Sequence, residues 1–495
     1  MDMTRAMSAS SRQGRSVRFP EGLIVLLLLI FGVGSALIFA TIEQSPLSAV
    51  FLLGFVSVGG LSLCRATQAK LNDPSLKVLG YFWLIKLALT LFLLYAGWMP
   101  QLDPSSSLWG YDPQRYYIQA QELIDNQWSP DFLNLNYVGI LYFYGAIFYV
   151  FGHNPVIPAL INALVTLAAC LYLVKVGYEI KGQRGPRDWI LAFALLLPEV
   201  LWFDVMTSRE TLVGAGVLYA TLPIGRYLAR TAPLSLITAL TTSGLAVLAI
   251  AAVRTSMLLP VFASIALMIL LVKPQRGSQV IQRLILAAAA AAILLLLPRL
   301  AAYIGGYEFD TGNALDLASS ATENIALSSD MQWSENSIGM LLMPNGWLQS
   351  ILYLPPRMVL YLVAPLPNIW VSVSDLLAGS WGAWQHILTI ASSVINVLAI
   401  PYALASFVQS IRGRQENTAP LILHISYWMT FMAVAGGNLI IHERYRVMAS
   451  LLLWGCAWLG ARTCTRRLII KTSLLWYGLL AFGALFYLIY KNNLA

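Results

Sequence analysis

The chain has 495 residues, of which 58% are apolar and only 11% charged, against about 25% charged in a typical globular domain. A single water-soluble core stops growing near ~250–300 residues, so no soluble fold hides this much apolar surface, whereas a bilayer accepts it. The net charge of +8 is divided among short clusters between apolar runs. That distribution argues against a nucleic-acid surface and fits loops obeying the positive-inside rule.

Residues 1–22 form a Ser/Arg-rich leader with Arg5, Arg12, Arg15 and Arg18, which the positive-inside rule places in the cytoplasm. The apolar run that follows is long for a signal-peptide core and has no A-x-A cleavage site after it, so it reads as a first span. A crossing needs ~20 mostly apolar residues. Spans are predicted near 23–43, 48–64 and 78–98, then 155–175, 189–206, 211–229, 235–253, 255–272 and 284–303, and finally 382–408, 420–441, 447–461 and 473–490. The expected fold is an all-α polytopic membrane protein of about thirteen transmembrane helices. It divides into N-terminal spans (23–98), central helices (154–304) and C-terminal helices (382–495), separated by two large loop regions (99–153 and 305–381).

Lys and Arg check this count. Arg65, Lys70 and Lys77 share a gap, as do Lys181, Arg184 and Arg187, then Arg226 and Arg230, then Lys273, Arg276 and Arg283. Arg412 and Arg414, and finally Arg462, Arg466, Arg467 and Lys471, continue the pattern. All fall on the cytoplasmic side of the cytoplasmic (inner) membrane if the segments 137–152 and 351–370 do not cross. The first is therefore read as an interfacial or re-entrant helix. The second, with Pro355, Pro356, Pro365 and Pro367, is read as a Pro-rich hairpin. Both long loops then lie outside, and both are acidic. The first (99–136) sets five carboxylates against Arg115 alone, and the second (305–349) has no Lys or Arg. The 15 Trp and 23 Tyr suit the many water–lipid boundaries. Cys64, Cys170, Cys456 and Cys464 lie in or beside apolar runs without a CxxC and read as small hydrophobes.

Ionisable groups in or beside membrane segments are costly and mark candidate sites. They gather at the expected outer ends of helices: Arg209 and Glu210 with Glu199 and Asp204 just before them, Arg254 in a tight turn, Arg357 after a proline pair, and His442, Glu443, Arg444 and Arg446 in IHERYR, with His153 closing the re-entrant segment. Individually, each can be a surface turn or a side chain snorkelling to headgroups. As a set, the outer cations Arg115, Arg209, Arg254, Arg357, Arg444 and Arg446 are all Arg, the type suited to bidentate binding of phosphate or carboxylate.

Asp112 precedes Pro113 and a stretch whose Tyr117, Ile118, Leu123 and Trp128 define an amphipathic surface helix. Asp112 caps that helix on one reading. On the other, a carboxylate at the water–lipid boundary serves as general base for a sugar hydroxyl, with Glu122 assisting.

The chain resembles the GT-C superfamily of membrane glycosyltransferases, including its protein mannosyltransferase-like and aminoarabinose transferase-like branches. The resemblance rests on an order of features: a span, a large outer loop with a D-x-x-x-Y motif (Asp112 to Tyr116), a short apolar segment ending in Phe151-Gly152, and an outer R-Y motif in Glu443-Arg444-Tyr445-Arg446. It implies a polyprenyl-phosphate sugar donor, Asp112 as catalytic base, and Arg444 and Tyr445 at the donor phosphate. Two spans precede the one before the acidic loop, Pro113 stands where the family commonly has a second acid, and Val447 and Met448 stand where it often has proline.

The expected activity is transfer of a sugar from that donor to an envelope glycan, lipid or protein acceptor, with Arg115, Tyr116, Arg209, Glu210, Arg254, Arg357, His442, Glu443, Arg444, Tyr445 and Arg446 around the substrate. The neighbouring reading is a Wzy-like or EpsG-like polysaccharide polymerase or ligase, which handles pyrophosphate-linked glycans with outward arginines. A flippase or transporter of lipid-linked sugars would instead require charges at the mid-plane and repeat symmetry, and no internal repeat of useful strength is present. No cofactor is required on this reading; the acidic second loop, through Asp310 and Asp316, offers a possible divalent-cation site.

Overall fold

A computed structural model describes residues 46–102, 112–130, 138–181, 188–231, 233–272, 347–365, 371–413, 417–437 and 443–494, with a few isolated positions between 283 and 342. Every regular element among them is helical. The helices are α1 (Pro46–Leu71), α2 (Val78–Ala96), α3 (Asp112–Asp125), α4 (Val138–Phe151), α5 (Val156–Lys181), α6 (Trp189–Ala192), α7 (Pro198–Val205) and α8 (Glu210–Ala229). They continue with α9 (Leu236–Val253), α10 (Leu258–Leu271), α11 (Trp347–Val363), α12 (Val373–Leu377), α13 (Trp381–Arg412), α14 (Ala419–Gly437), α15 (Val447–Thr463) and α16 (Arg466–Leu494).

Eight described helices are long and apolar enough to cross a membrane: α1, α2, α5, α8, α9, α13, α14 and α16. The protein is a multi-pass helical membrane protein. The remaining five of the thirteen expected spans divide into two kinds. Segment 23–43, and 284–303 apart from three isolated positions, lie outside the described residues. The other three are short or broken: α10 has 14 residues, α15 has 17, and 189–206 is split. At 1.5 Å per residue, α15 reaches ~26 Å and α10 ~21 Å, under the ~30 Å of a hydrocarbon core.

The split has a local cause. Pro198 starts α7 and cannot donate to the preceding turn, while Leu197 is extended at φ −59°, ψ 124°. Helix breaks survive in a membrane only where neighbours satisfy the freed backbone groups. Here Lys86 Nζ donates to the Leu195 carbonyl at 3.3 Å and the Trp454 indole donates to Ile190 at 2.9 Å. Pro401, inside α13, leaves the Val397 carbonyl without its i+4 donor, and the Trp476 indole supplies one at 3.0 Å.

α4 has 14 apolar residues, about 21 Å of helix. Its first turn sits against the C-terminal end of α9, so close that a Cβ on Gly139 would fall 2.0 Å from the Ala252 carbonyl oxygen. Its last turn leads directly into α5. At one end of the bundle, Asn162 of α5 donates to the Met206 carbonyl in the connector before α8, and the Arg254–Glu210 ion pair joins the end of α9 to the start of α8. Both ends of α4 therefore meet the same face. In the segment expected as a Pro-rich hairpin, α11 runs unbroken through Pro355 and Pro356, both on its exposed side, where losing two backbone N–H groups costs least; residues 366–370 lie outside the described residues.

Candidate functional site

α3 lies against α4 through its buried residues Pro113, Tyr116, Tyr117, Ala120 and Leu123, with the Tyr117 and Phe148 rings edge-to-face at 5.1 Å. The Tyr117 hydroxyl donates to the His153 carbonyl. This packing fixes the start of α3, and Asp112 is its first residue. Across the face, the short helix Glu443–Arg446 leads into α15 and brings up Arg444. Its Nη1 donates to Asp112 Oδ2 at 2.8 Å, and its Nη2 donates to the Tyr445 hydroxyl at 2.8 Å.

Tyr445 lies between two cations. The Arg444 guanidinium stands 4.8 Å from its ring centre and that of Arg254 stands 4.7 Å away, both within cation–π range. Arg254 caps the C-terminus of α9, where the helix dipole favours a cation, and approaches Glu210 Oε1 at 4.0 Å. Glu210 opens α8 directly after Arg209, and both are buried. Tyr116 lies within electrostatic reach of Arg209, Asp112, Glu210 and Arg444. Burial pushes its phenol well above the ordinary range, Arg209 and Arg444 offsetting this only in part, so Tyr116 stays a neutral donor. Burial alone would lower Arg444, but Tyr445, Asp112 and Glu210 outweigh it and hold it firmly cationic.

The face thus collects Asp112, Tyr116, Arg209, Glu210, Arg254, Arg444 and Tyr445. Other expected members stand elsewhere. Arg446 is 1% exposed; its Nε donates to Glu199 Oε2 at 2.7 Å, and its Nη1 donates to the Tyr361 carbonyl at 2.9 Å and to Ser393 Oγ at 3.1 Å. Ser450 closes that network onto Glu199. Arg357, also buried, donates through Nε to Ala435 in the last turn of α14 at 2.8 Å and through Nη1 to the Leu342 carbonyl at 2.9 Å. These two arginines hold backbone together rather than facing the cluster. Glu122 is exposed on α3, roughly 15 Å of helix beyond Asp112, and Arg115 lies half-buried in the first turn. For Glu443 only the backbone is described, and His442 lies outside the described residues, as does the acidic loop with Asp310 and Asp316. Among the described residues no cluster of three or more His, Cys, Asp or Glu is close enough to hold a metal.

Sequence reasoning singled out Asp204 but missed its partner, Lys86. Lys86, midway along α2, is ion-paired with Asp204, and both are wholly buried. Thr166 donates to Asp204 Oδ1 at 2.8 Å. Asn162 donates to the carbonyls of Asp204 at 3.2 Å and Met206 at 2.7 Å, Gln101 reaches Val205, and the Tyr144 hydroxyl donates to Ser208 at 2.7 Å. The connector leading to Arg209 and Glu210 is therefore held carbonyl by carbonyl. A lone Lys inside an apolar run was the available signal.

At the opposite end of the bundle, Arg226 forms a two-pronged pair with Glu179 at 2.6 and 2.7 Å, and Arg462 meets Asp188 at 3.1 Å. No family model, no curated protein and no solved structure matches the chain.

Proposed function

We propose that the protein is a membrane glycosyltransferase that takes a sugar from a polyprenyl-phosphate donor and passes it to an envelope glycan, lipid or protein acceptor on the extracytoplasmic face. The observation that carries this reading is the Asp112–Arg444 pair at 2.8 Å, with Tyr445, Arg254, Glu210 and Arg209 around it. The resemblance to the GT-C superfamily supports it through the same residues.

In the proposed step, Asp112 takes the proton of an acceptor hydroxyl as that oxygen attacks the anomeric carbon. A new C–O bond forms as the bond from that carbon to the phosphate oxygen breaks. The electron pair leaves with the phosphate, which becomes a monoester, and the anomeric centre inverts. Arg444, Arg254 and Arg209 neutralise the charge that develops there. Among the described side chains, three guanidiniums against the two carboxylates Asp112 and Glu210 leave one net positive charge, a match for one phosphodiester. That balance favours a monophosphate donor over the pyrophosphate donor of a polymerase.

A lipid-linked-sugar transporter is the second reading, favoured by the buried Lys86–Asp204 pair and the broken helix beside it, both features of transport paths. The pair is wholly buried and enclosed by Thr166 and the Leu195 carbonyl, which suits a fixed core better than a moving charge.

Purified protein in nanodiscs, offered membrane acceptors and a labelled polyprenyl-phosphate monosaccharide, is expected to release polyprenyl phosphate. Turnover of a polyprenyl-pyrophosphate oligosaccharide alone would assign a polymerase. Movement of intact donor across proteoliposomes, with no bond broken, would assign a transporter.

A further inference from the structure

Directly below the cationic cluster, α8 and α9 pack closely, a Cβ on Gly216 falling 2.8 Å from Ile250 Cγ1, and an open groove runs beside their seam. The groove is lined by both helices, with Phe143 of α4 as one wall, and its volume is about 440 Å³. Its lining has no charged residue. Small side chains contribute to its lining, Ala215 on α8 and Ala246 and Ala249 on α9. On α9 the lining runs from Thr242 to Val253, ~17 Å of helix and about half of a ~30 Å hydrocarbon core. Leu245, 65% exposed, marks a side open towards the bilayer.

The two ends of this groove differ in chemistry. The lower end is lined by Thr242 and Tyr219. The upper end, at Val213 and Val253, is followed at once by Arg254 on α9 and preceded by Glu210 on α8. An apolar space at this depth is unfavourable for water and favourable for hydrocarbon. An aliphatic chain suits this lining, and an anionic polar end suits the neighbouring Arg254 and, at the same Tyr445 ring, Arg444. A free phosphate would leave the groove unfilled, and a neutral lipid would leave the arginines unmatched.

We infer that the α8–α9 groove holds the hydrocarbon chain of the lipid-phosphate substrate, admitted sideways from the bilayer, with its phosphate at Arg254 and Arg444. This rests on the proposed lipid-phosphate donor and adds where its chain lies.

Photo-crosslinking tests the placement without requiring turnover. Polyprenyl phosphate bearing a diazirine on the chain, added to the full-length protein in nanodiscs, is expected to label residues 242–253, with labelling competed by unlabelled polyprenyl phosphate. Filling the groove with Ala249→Trp, a position on its exposed side, is expected to cut that labelling at least tenfold while the thermal midpoint is held. Equal labelling by a diazirine phosphatidylglycerol would overturn the inference by making the groove a seat for ordinary membrane lipid, and so would labelling confined to other helices. In the transfer assay, Ala249→Trp should slow a long-chain donor at least tenfold and spare a two-isoprene analogue; equal effects on both would also count against it. Labelling at 242–253 without any sugar transfer by the wild type would leave the groove assignment standing and remove the transferase reading.

Discussion

Asp112 and Arg444 lie 332 positions apart in the chain and 2.8 Å apart in the fold. Each is about a quarter to a third exposed, at 30% and 26%, which distinguishes this ion pair from the buried ones elsewhere. A pair this open contributes ~0–1 kcal/mol to stability. It does place a carboxylate and a guanidinium side by side, within reach of one molecule. An arriving phosphate competes with Asp112 for Arg444, so binding the donor would free the carboxylate to accept a proton.

Asp112→Asn is the direct test. Asparagine begins a helix about as well as aspartate, so the thermal midpoint in detergent should move little. Removing a general base lowers a rate by ~10²–10⁴-fold, and donor turnover should fall by that amount. Near-normal turnover in a well-folded Asp112→Asn protein would remove Asp112 from the mechanism.

Arg446 should behave in the opposite way to Arg444, although the two are separated by one residue. Its pair with Glu199 is almost fully buried, and truncating one partner of such a pair costs ~3–5 kcal/mol because the other charge is left without compensation. Arg446→Ala is therefore expected to lose folded protein, measured as monodisperse yield and thermal midpoint. The double change Arg446→Met with Glu199→Gln should recover much of it. Arg444→Ala should keep the yield and lose donor binding.

That contrast shows what a linear sequence conveys. The long apolar runs of α1, α2, α5, α8, α9, α13, α14 and α16 declare themselves, because crossing a bilayer demands length and apolarity that nothing else imitates. The interest of Asp112, Arg209, Arg254 and Arg444 was legible from their position at helix ends. Arg357 and Arg446 looked the same, since being an outward arginine says nothing about which carbonyls lie nearby. Only the packing of α11 against α13, α14 and the short helix Glu443–Arg446 gives Arg446 the carbonyls of Tyr361 and Ala364 and gives Arg357 that of Ala435. The break at Leu197–Pro198 was likewise hidden, because its tolerance depends on Lys86 from another helix.

Tyr445 holds two cations beside each other, so its ring and its hydroxyl can be separated by mutation. Tyr445→Phe keeps the face toward Arg254 and loses the hydrogen bond from Arg444; Tyr445→Ala loses both. Cation–π contacts of ~0.5–2 kcal/mol correspond to between twofold and thirtyfold in affinity. The alanine variant should therefore weaken donor binding by roughly tenfold and the phenylalanine variant by a few-fold. Equal losses in a donor-binding titration would assign the role to the hydroxyl alone.

Lys86 and Asp204 invite the sharpest stability test, because their energetics depend on what surrounds them. Asp204 accepts from Thr166 as well as Lys86, and Lys86 also serves the Leu195 carbonyl freed by the helix break. Lys86→Met removes the countercharge from a carboxylate with no access to water, and a loss of ~3–5 kcal/mol is expected. Adding Asp204→Asn to Lys86→Met removes the stranded charge and retains a group able to bond Thr166, so a large part of the stability should return. The Leu195 carbonyl still lacks its donor in that double variant, a deficit of ~1–3 kcal/mol, so recovery should stop short of the wild type. A double-mutant cycle on thermal midpoints reads the coupling directly. If sugar transfer returns together with stability in the double variant, the pair is scaffold for the connector that carries Arg209 and Glu210. If stability returns while activity does not, the ionised pair itself takes part in function, and the transporter reading gains the ground that the transferase loses.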